Sequence, residues 1–240
     1  MSAAAIRNET QRVVRGEVHL PDSVVDLYVV GQLHGAPDAL RAIDERIARD
    51  SASRDPGAAA VLHAGGYIDK GNQVPELLDR LVRRGDVSGV PVTYLLGAHE
   101  WLMSRTLDGD RRAALKWLLS GAEASLDRWR VPTEDWISAL TGIVPGNVSA
   151  FLRGLPVCAW TGRQAFACGT FADGPARPFG LLTDLAMPHG LVAGRFTPID
   201  NFTSIARHET AVPWAVRDRW AVNGIVCEAL VRNPEGVDLA

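Results

Sequence analysis

The sequence has few cysteines and no long hydrophobic run. It contains three cysteines among 240 residues, and no two of them have the CxxC spacing of a redox or metal-binding pair. Unpaired cysteines are typical of a reducing compartment, so a secreted domain stabilised by disulfides is not expected. No stretch of about 18 apolar residues is present, and residues 1–22 lack the apolar core of a signal peptide. We therefore expect a cytoplasmic protein that has no membrane partner.

An excess of positive charge is also missing. The chain has 25 Lys and Arg against 28 Asp and Glu, which gives a net charge of −3. Such a chain has no overall basic field that would attract nucleic acid, so no nucleic-acid partner is expected. Hydrophobic residues make up 47% of the sequence, enough for the core of one large domain. We assign residues 25–240 to this domain and residues 1–24 to an N-terminal arm.

Apolar runs and amphipathic stretches alternate in the first part of the chain. Buried strands are predicted at residues 27–30, 60–62 and 92–96. Helices are predicted to begin near Pro37 and Pro75, because proline is favoured in the first helical turn. This βαβαβ order indicates parallel strands and an α/β fold class. The loops that follow these strands, residues 30–35, 65–71 and 97–100, are therefore expected to line one crevice.

The middle of the chain has a different pattern. Apolar residues recur at helical spacing in residues 100–153, which predicts several short helices that form a cap beside the crevice. This helical insert is our candidate surface for a protein partner. After Leu155 the spacing shortens, and strands are predicted at residues 157–160, 164–168, 191–193 and 224–227. No linker interrupts the pattern, so these parts are expected to form one domain.

The three crevice loops carry a distinctive set of residues. They read GQLHG, GGYIDKG and GAHE. These resemble the motifs GDxHG, GDYxDRG and GNHE of the calcineurin-like metallophosphoesterase superfamily, which includes the serine/threonine protein phosphatases. The resemblance extends over residues 26–232 and is greatest to the bacterial branch, in which a helical insert and a phrase similar to residues 151–156 follow the third motif. It implies a two-sheet β-sandwich flanked by helices, with a pair of metal ions at one edge.

Most of the family's metal-binding residues are replaced in this sequence. Active relatives bind two metal ions through six side chains, and the resemblance places these at Gln32, His34, Gly66, Ala98, Cys168 and Arg195. Of the six, His34 alone keeps the family's residue. Gly66 stands where the resemblance implies the carboxylate that bridges both ions, and a hydrogen atom cannot do this. We therefore predict that the chain binds no metal ion and no other cofactor.

The other functional residues of the motifs are better preserved. The family's catalytic histidine falls on His99 and its partner aspartate on Asp69, a dyad that protonates a leaving group. Lys70 replaces the arginine that grips phosphate. Without metal ions and their carboxylates, Lys70, Arg195 and His34 would form a cationic pocket that binds an anion. The sequence thus favours a pseudophosphatase, which is a binding or regulatory protein for a protein partner or a phosphorylated ligand.

Other interpretations of these residues stay open at this point. His34 and His99 are equally compatible with histidines that belong to the core. A rebuilt zinc site could use His34, Cys168, His99 and His63, which would make the chain an active phosphoesterase with an atypical or single-metal site. Cys168 is a further candidate, as a nucleophile paired with His99. A side chain that fills the crevice would instead indicate a purely structural subunit.

Overall fold

The computed structural model describes residues 17–161, 164–168, 192–194, 202–206 and 214–232. The strands of this part are β1 Glu17–His19, β2 Asp26–Val30, β3 Ala59–His63, β4 Asp86–Val87, β5 Val90–Tyr94, β6 Cys158–Thr161, β7 Gln164–Cys168, β8 Val192–Gly194, β9 Phe202–Ala206, β10 Trp214–Val222 and β11 Ile225–Arg232. The helices are α1 Pro37–Ser51, α2 Val74–Arg83, α3 Ala98–Leu107, α4 Arg111–Leu119, α5 Glu123–Arg128, α6 Trp136–Ile143 and α7 Gly146–Gly154.

The strands form two sheets. The six-stranded sheet has the order β10-β11-β2-β3-β5-β4, and the five-stranded sheet has the order β1-β6-β7-β9-β8. Strands β2, β3 and β5 are parallel, as predicted, while β10, β11 and β4 extend the larger sheet in antiparallel fashion. The two sheets and their helices confirm the predicted α/β architecture.

The core has two parts because side chains alternate between the faces of each strand. On one face of β2, Leu27 and Val29 pack with Ala159 and Phe166 of the smaller sheet. On the other face, Tyr28 belongs to the cluster that includes α1, α2 and the cap. Strands that are buried on both faces need apolar residues at nearly every position. This requirement explains why β2 and β3 are visible in the sequence as continuous apolar runs.

The two crossover helices begin where the sequence predicts. Pro37 and Pro75 each occupy the first turn of their helix, α1 and α2. Leu40, Ile43 and Ile47 of α1 are fully or almost fully buried, at the spacing of one helical face. These helices therefore cover one face of the six-stranded sheet.

The cap consists of helices α3 to α7, which confirms that the segment around residues 100–153 is helical. Helix α3 packs against α4 and α7, and Trp117 of α4 is completely buried. Leu115 and Leu119 of the same helix are exposed. None of the described helices is long and apolar enough to cross a membrane.

Several features differ from the sequence prediction. Residues 17–19, expected to belong to an arm, form β1, which pairs in parallel with β6 and buries Val18. Strands β4, β9 and β10 were not predicted, and β11 is longer than the predicted strand at residues 224–227. Strand β10 is an edge strand whose charged residues hide the apolar pattern. The missed signal is Asn223-Gly224, where both residues have positive φ, at 50° and 81°, as a two-residue hairpin turn requires.

Candidate functional site

The site lies where the three predicted loops meet at the carboxyl ends of β2, β3 and β5. The amides of Leu33 and His34 both donate to the Gly66 carbonyl oxygen at 2.8 Å. A Cβ atom at Gly65 would lie only 2.8 Å from Gly97 Cα, so the second and third loops are also in contact. The loops are therefore parts of one surface, as the parallel strand order predicts.

The buried carboxylate of Glu100 fixes the second loop. It accepts hydrogen bonds from the amides of Gly66 at 3.0 Å, Tyr67 at 2.7 Å and Ile68 at 3.1 Å. Burial raises the pKa of Glu100, and the three backbone amides oppose this effect because they stabilise the ionised form. Glu100 ends the third motif, but sequence reasoning gave it no role. Its contribution is to join the first turn of α3 to the loop after β3.

Gln32 and Gly66 occupy complementary space. Gly66 has a φ of 71°, which disfavours any residue with a side chain. A Cβ atom built on it would lie 2.6 Å from Cγ and 2.7 Å from Cβ of Gln32. The Gln32 side chain thus fills the position from which a side chain at residue 66 would extend. The two predicted replacements are physically linked, because this position of Gln32 depends on a glycine at 66.

His34 is held by two contacts within the protein. Its Nδ1 lies 3.1 Å from the carbonyl oxygen of Ile68, and its Nε2 lies 2.6 Å from Oε1 of Gln32. Burial lowers the pKa of His34, and the positive charges of Lys70 and His99 lower it further. Both neighbours are oxygen acceptors, so the neutral ring, which carries one N–H, donates to one of them. Both ring nitrogens are therefore engaged.

His99 and Asp69 form the predicted dyad, and the cap supports it. His99 Nδ1 lies 2.5 Å from Oδ2 of the fully buried Asp69. Trp117 Nε1 donates to the same oxygen at 2.8 Å, and Ser125 Oγ donates to Oδ1 at 2.5 Å. Ser125 Oγ also accepts from the Asp69 amide at 3.1 Å. With each carboxylate oxygen bound to a donor, the orientation of Asp69 toward the His99 ring is fixed.

His99 is partly exposed, and its pKa depends on the charged groups around it. The hydrogen bond to Asp69 raises the pKa of His99 and outweighs the opposite effect of burial. The His99 side chain is 23% exposed, whereas Asp69 has no exposed surface. Lys70 follows Asp69 directly and is exposed, and its charge lowers the pKa of both His34 and His99. The three cationic or cation-forming groups are therefore neighbours at one surface.

Three other positions were predicted to belong to the site: Ala98, Cys168 and Arg195. Ala98 is the first residue of α3 and is half-buried beside His99. Cys168 ends β7, where its backbone pairs with Phe202 of β9. Arg195 lies outside the described residues. The roles assigned to Cys168 and Arg195 stay predictions.

His63 belongs to a different cluster from the crevice. It is fully buried at the end of β3, its Nε2 lies 2.8 Å from Arg84, and its ring is tilted against Tyr94 at a centroid distance of 5.0 Å. Arg84 also pairs with Asp44 of α1. A cation this close to the ring opposes metal binding by His63.

Comparison with known protein families shows which family the chain belongs to. A sequence model of the family described as calcineurin-like phosphoesterase matches residues 26–207. The chain belongs to this family. The resemblance drawn from the three motifs is therefore confirmed.

Several solved structures are similar to parts of this chain at low sequence identity. A protein described as a diadenosine tetraphosphatase is 18% identical with a TM-score of 0.38, and the match covers 61% of this chain and 50% of that one. A cold-active protein tyrosine phosphatase is 16% identical (TM-score 0.32; 57% and 40% covered), and that of a psychrophilic Shewanella is 17% identical (TM-score 0.31; 55% and 40%). The chain spans half or less of each of these structures. No curated protein sequence matches it.

The described residues do not fit the two metal ions that the calcineurin-like phosphoesterase family implies. Gln32 occupies the space of a side chain at residue 66, and both nitrogens of His34 are engaged. The carboxylates of Asp69 and Glu100 are bound to donors of the protein. Among the residues described, no group of three or more His, Cys, Asp and Glu side chains is arranged to hold a metal ion.

Proposed function

We propose that this calcineurin-like phosphoesterase is a catalytically degenerate member of its family, a binding or regulatory protein that retains a phosphate pocket without metal ions. The observation that carries the proposal is the contact between Gln32 and Gly66, which places a neutral amide where the family resemblance implies a bridging carboxylate. The dyad of His99 and Asp69 and the neighbouring Lys70 persist beside this contact. The ligand class is a phosphorylated ligand, either free or on a partner protein.

The energetic argument supports binding rather than turnover. Metal ions in such sites polarise the phosphoryl group and lower the pKa of the attacking water. The dyad can assist only the leaving group, and general acid catalysis contributes roughly 10²–10⁴-fold. Hydrolysis of a phosphate monoester can require an acceleration of up to ~10²¹-fold. A site with the dyad alone therefore falls many orders of magnitude short.

The charges of the pocket suit an anion. Lys70 is exposed and carries a positive charge. The raised pKa of His99 favours the imidazolium form, whose Nε2–H can donate to a phosphate oxygen. Arg195 is predicted to add a second fixed cation. His34 would contribute after Gln32 releases its Nε2, so we assign it a secondary place in the pocket.

The proposal is tested by isothermal titration calorimetry, in which the chain is titrated with inorganic phosphate and with a phosphoserine peptide. Lys70→Ala, His99→Gln and Arg195→Ala are each expected to weaken binding by about tenfold or more, because a charge-assisted hydrogen bond contributes about 1.5–3 kcal/mol. Lys116→Ala, which removes an exposed cation from α4, is the matched control and should leave binding unchanged. Absence of saturable binding, or equal affinity in all variants, would contradict the proposal.

A second candidate is an active phosphoesterase with an atypical or single-metal site. It is favoured by the dyad, because three side chains still hold Asp69 in the position that serves a catalytic imidazole. Turnover of p-nitrophenyl phosphate is measured after purification in excess Mn²⁺ or Zn²⁺, together with the metal content. Stoichiometric metal and an activity abolished by His99→Ala would establish this candidate and exclude the first.

A further inference from the structure

His99 combines three properties that no other described histidine shares. Its Nδ1 is bound to a buried carboxylate, its side chain reaches solvent, and a lysine lies beside it. His63 is buried against Arg84, and both nitrogens of His34 are engaged. His19 is exposed on β1, a strand of the smaller sheet.

The hydrogen bond to Asp69 selects the tautomer of the neutral ring. With the proton held on Nδ1, the lone pair is on Nε2, and no described residue forms a hydrogen bond with Nε2. Trp117 and Ser125 hold Asp69 in place, so the ring cannot change tautomer without breaking this arrangement. An imidazole supported by a carboxylate is more basic, and a more basic nitrogen is a stronger nucleophile.

From this geometry we infer that His99 Nε2 is a phosphoryl acceptor that is modified by small donors with a good leaving group, of the phosphoramidate class. The Nε2 lone pair forms the new N–P bond while the P–N bond of the donor breaks. The departing nitrogen takes the electron pair of that bond and a proton from water. The Nδ1 proton stays between His99 and Asp69, whose charge balances the phosphorylated ring. No metal ion or redox step is needed.

Lys70 is the group that would make the reaction selective. A phosphoryl donor is an anion, so the charge of Lys70, which acts on the His99 ring, would concentrate the donor there and compensate its oxygens during transfer. This selectivity rests on the proposed phosphate pocket, whereas the acceptor role rests on the bond between His99 and Asp69. It goes beyond that proposal, because it predicts a covalent product at one named atom.

The experiment uses the full chain with phosphoramidate and a metal chelator at pH 8, which favours the neutral ring. After an alkaline quench, peptide mass spectrometry locates the acid-labile phosphoryl group. His99 is expected to be modified at least about tenfold faster than His19, which serves as the exposed control in the same molecule. Equal labelling of the two residues would overturn the inference, and so would labelling that persists at the His99 peptide in His99→Gln.

Variants of the positioning residues separate chemistry from folding. Asp69→Asn is expected to slow His99 labelling by about tenfold or more, because it removes the charge and no longer fixes the tautomer. If circular dichroism shows that this variant is unfolded, Ser125→Ala replaces it, with a smaller loss expected. Unchanged labelling in a folded variant would overturn the role of the carboxylate.

The phosphate titration distinguishes the two proposals. If phosphate binds and Lys70→Ala weakens it, yet His99 is not labelled, the acceptor role fails and the pocket stands. If His99 is labelled selectively but phosphate does not bind at equilibrium, the pocket fails and the acceptor role stands.

Discussion

The indole Nε1 of Trp117 lies 2.8 Å from Oδ2 of Asp69, although the two residues are 48 positions apart in the sequence. This bond connects the cap to the dyad. Because the cap supplies a donor to the carboxylate that orients His99, we assign it a part in building the site in addition to any role as a partner surface.

Trp117→Phe tests this connection. The change keeps most of the buried apolar surface but leaves one carboxylate lone pair without its donor. We expect a loss of roughly 1–3 kcal/mol in the free energy of unfolding, measured in urea, because an unsatisfied buried acceptor carries that cost. Trp136→Phe is the matched control: its ring lies 6.5 Å from that of Trp117 but it is only partly buried. An equal loss in both variants would show that aromatic packing, not the bond to Asp69, is responsible.

The contact between Gln32 and Gly66 predicts a non-additive pair. Gly66→Ala introduces a side chain at a φ of 71° and at 2.6 Å from Gln32 Cγ, so we expect a loss of stability of about 2–4 kcal/mol. Gln32→Ala in the same chain leaves the Cβ clash but removes Cγ, and should recover about 1 kcal/mol or more as a coupling energy. Unfolding of the single and double variants measures the cycle.

A control for this pair is Gly109, which also has a positive φ, at 84°, but where an added Cβ atom would meet nothing within 4 Å. Gly109→Ala should therefore show the backbone cost alone, about 1–2 kcal/mol. Its combination with Gln32→Ala should be additive. Coupling at Gly109 as large as at Gly66 would contradict the steric explanation.

Metal ions are expected to have little effect on the purified chain. After dialysis from excess Mn²⁺ or Zn²⁺, we predict substoichiometric metal by mass spectrometry and no increase in Tm on adding either ion. A ligand that binds only the folded state stabilises it by about 2.7 kcal/mol at a hundredfold excess over Kd, so true binding would be visible. Two equivalents of retained metal would refute the prediction.

The pH dependence of stability is expected to depend on Asp50. Burial alone would raise its pKa, but hydrogen bonds from Arg217 and Tyr28 outweigh it and lower the pKa from 3.8 to about 2. Between these values the folded chain binds fewer protons than the unfolded chain, so the free energy of unfolding falls as the pH drops from about 4 to about 2. The stabilisation is fully present at neutral pH.

Asp50→Asn measures this contribution. In urea unfolding, the difference between the original chain and the variant should shrink by at most about 1 kcal/mol from pH 6 to pH 3, because part of the stabilisation is still present at pH 3 and the carboxylate is partly exposed. Asp79→Asn removes an exposed ion pair with Arg83 and should show no such trend. A constant difference at Asp50 across this range would contradict the assignment.

Much of the sheet and part of the site could be predicted from the sequence. Strands β2 and β3 are buried on both faces, so their apolar runs are unambiguous, and Pro37 and Pro75 mark the helices between the parallel strands. The dyad of His99 and Asp69 followed from the motifs, because its residues lie in loops whose meeting point is fixed by the strand order.

Other contacts could not be predicted in this way. Ser125 reaches Asp69 across 56 residues, and its position depends on how the cap helices pack rather than on any local pattern. The fit of Gln32 against Gly66 depends on the positive φ of Gly66 and on the direction of the Gln32 side chain. Neither can be predicted from the residue types alone. The edge strand β10 carries charges that form ion pairs with α1, such as Arg217 with Asp50, and these obscured its strand character.

The grip of Glu100 on three successive amides has a consequence for recognition. One carboxylate ties the loop to the start of α3, so these two pieces of backbone can shift only together. An arriving ligand would meet a surface that already has its final shape, and little entropy would be lost in ordering the loop. Ligand selectivity at this surface would then come from the fixed spacing of its groups rather than from a conformational change on binding.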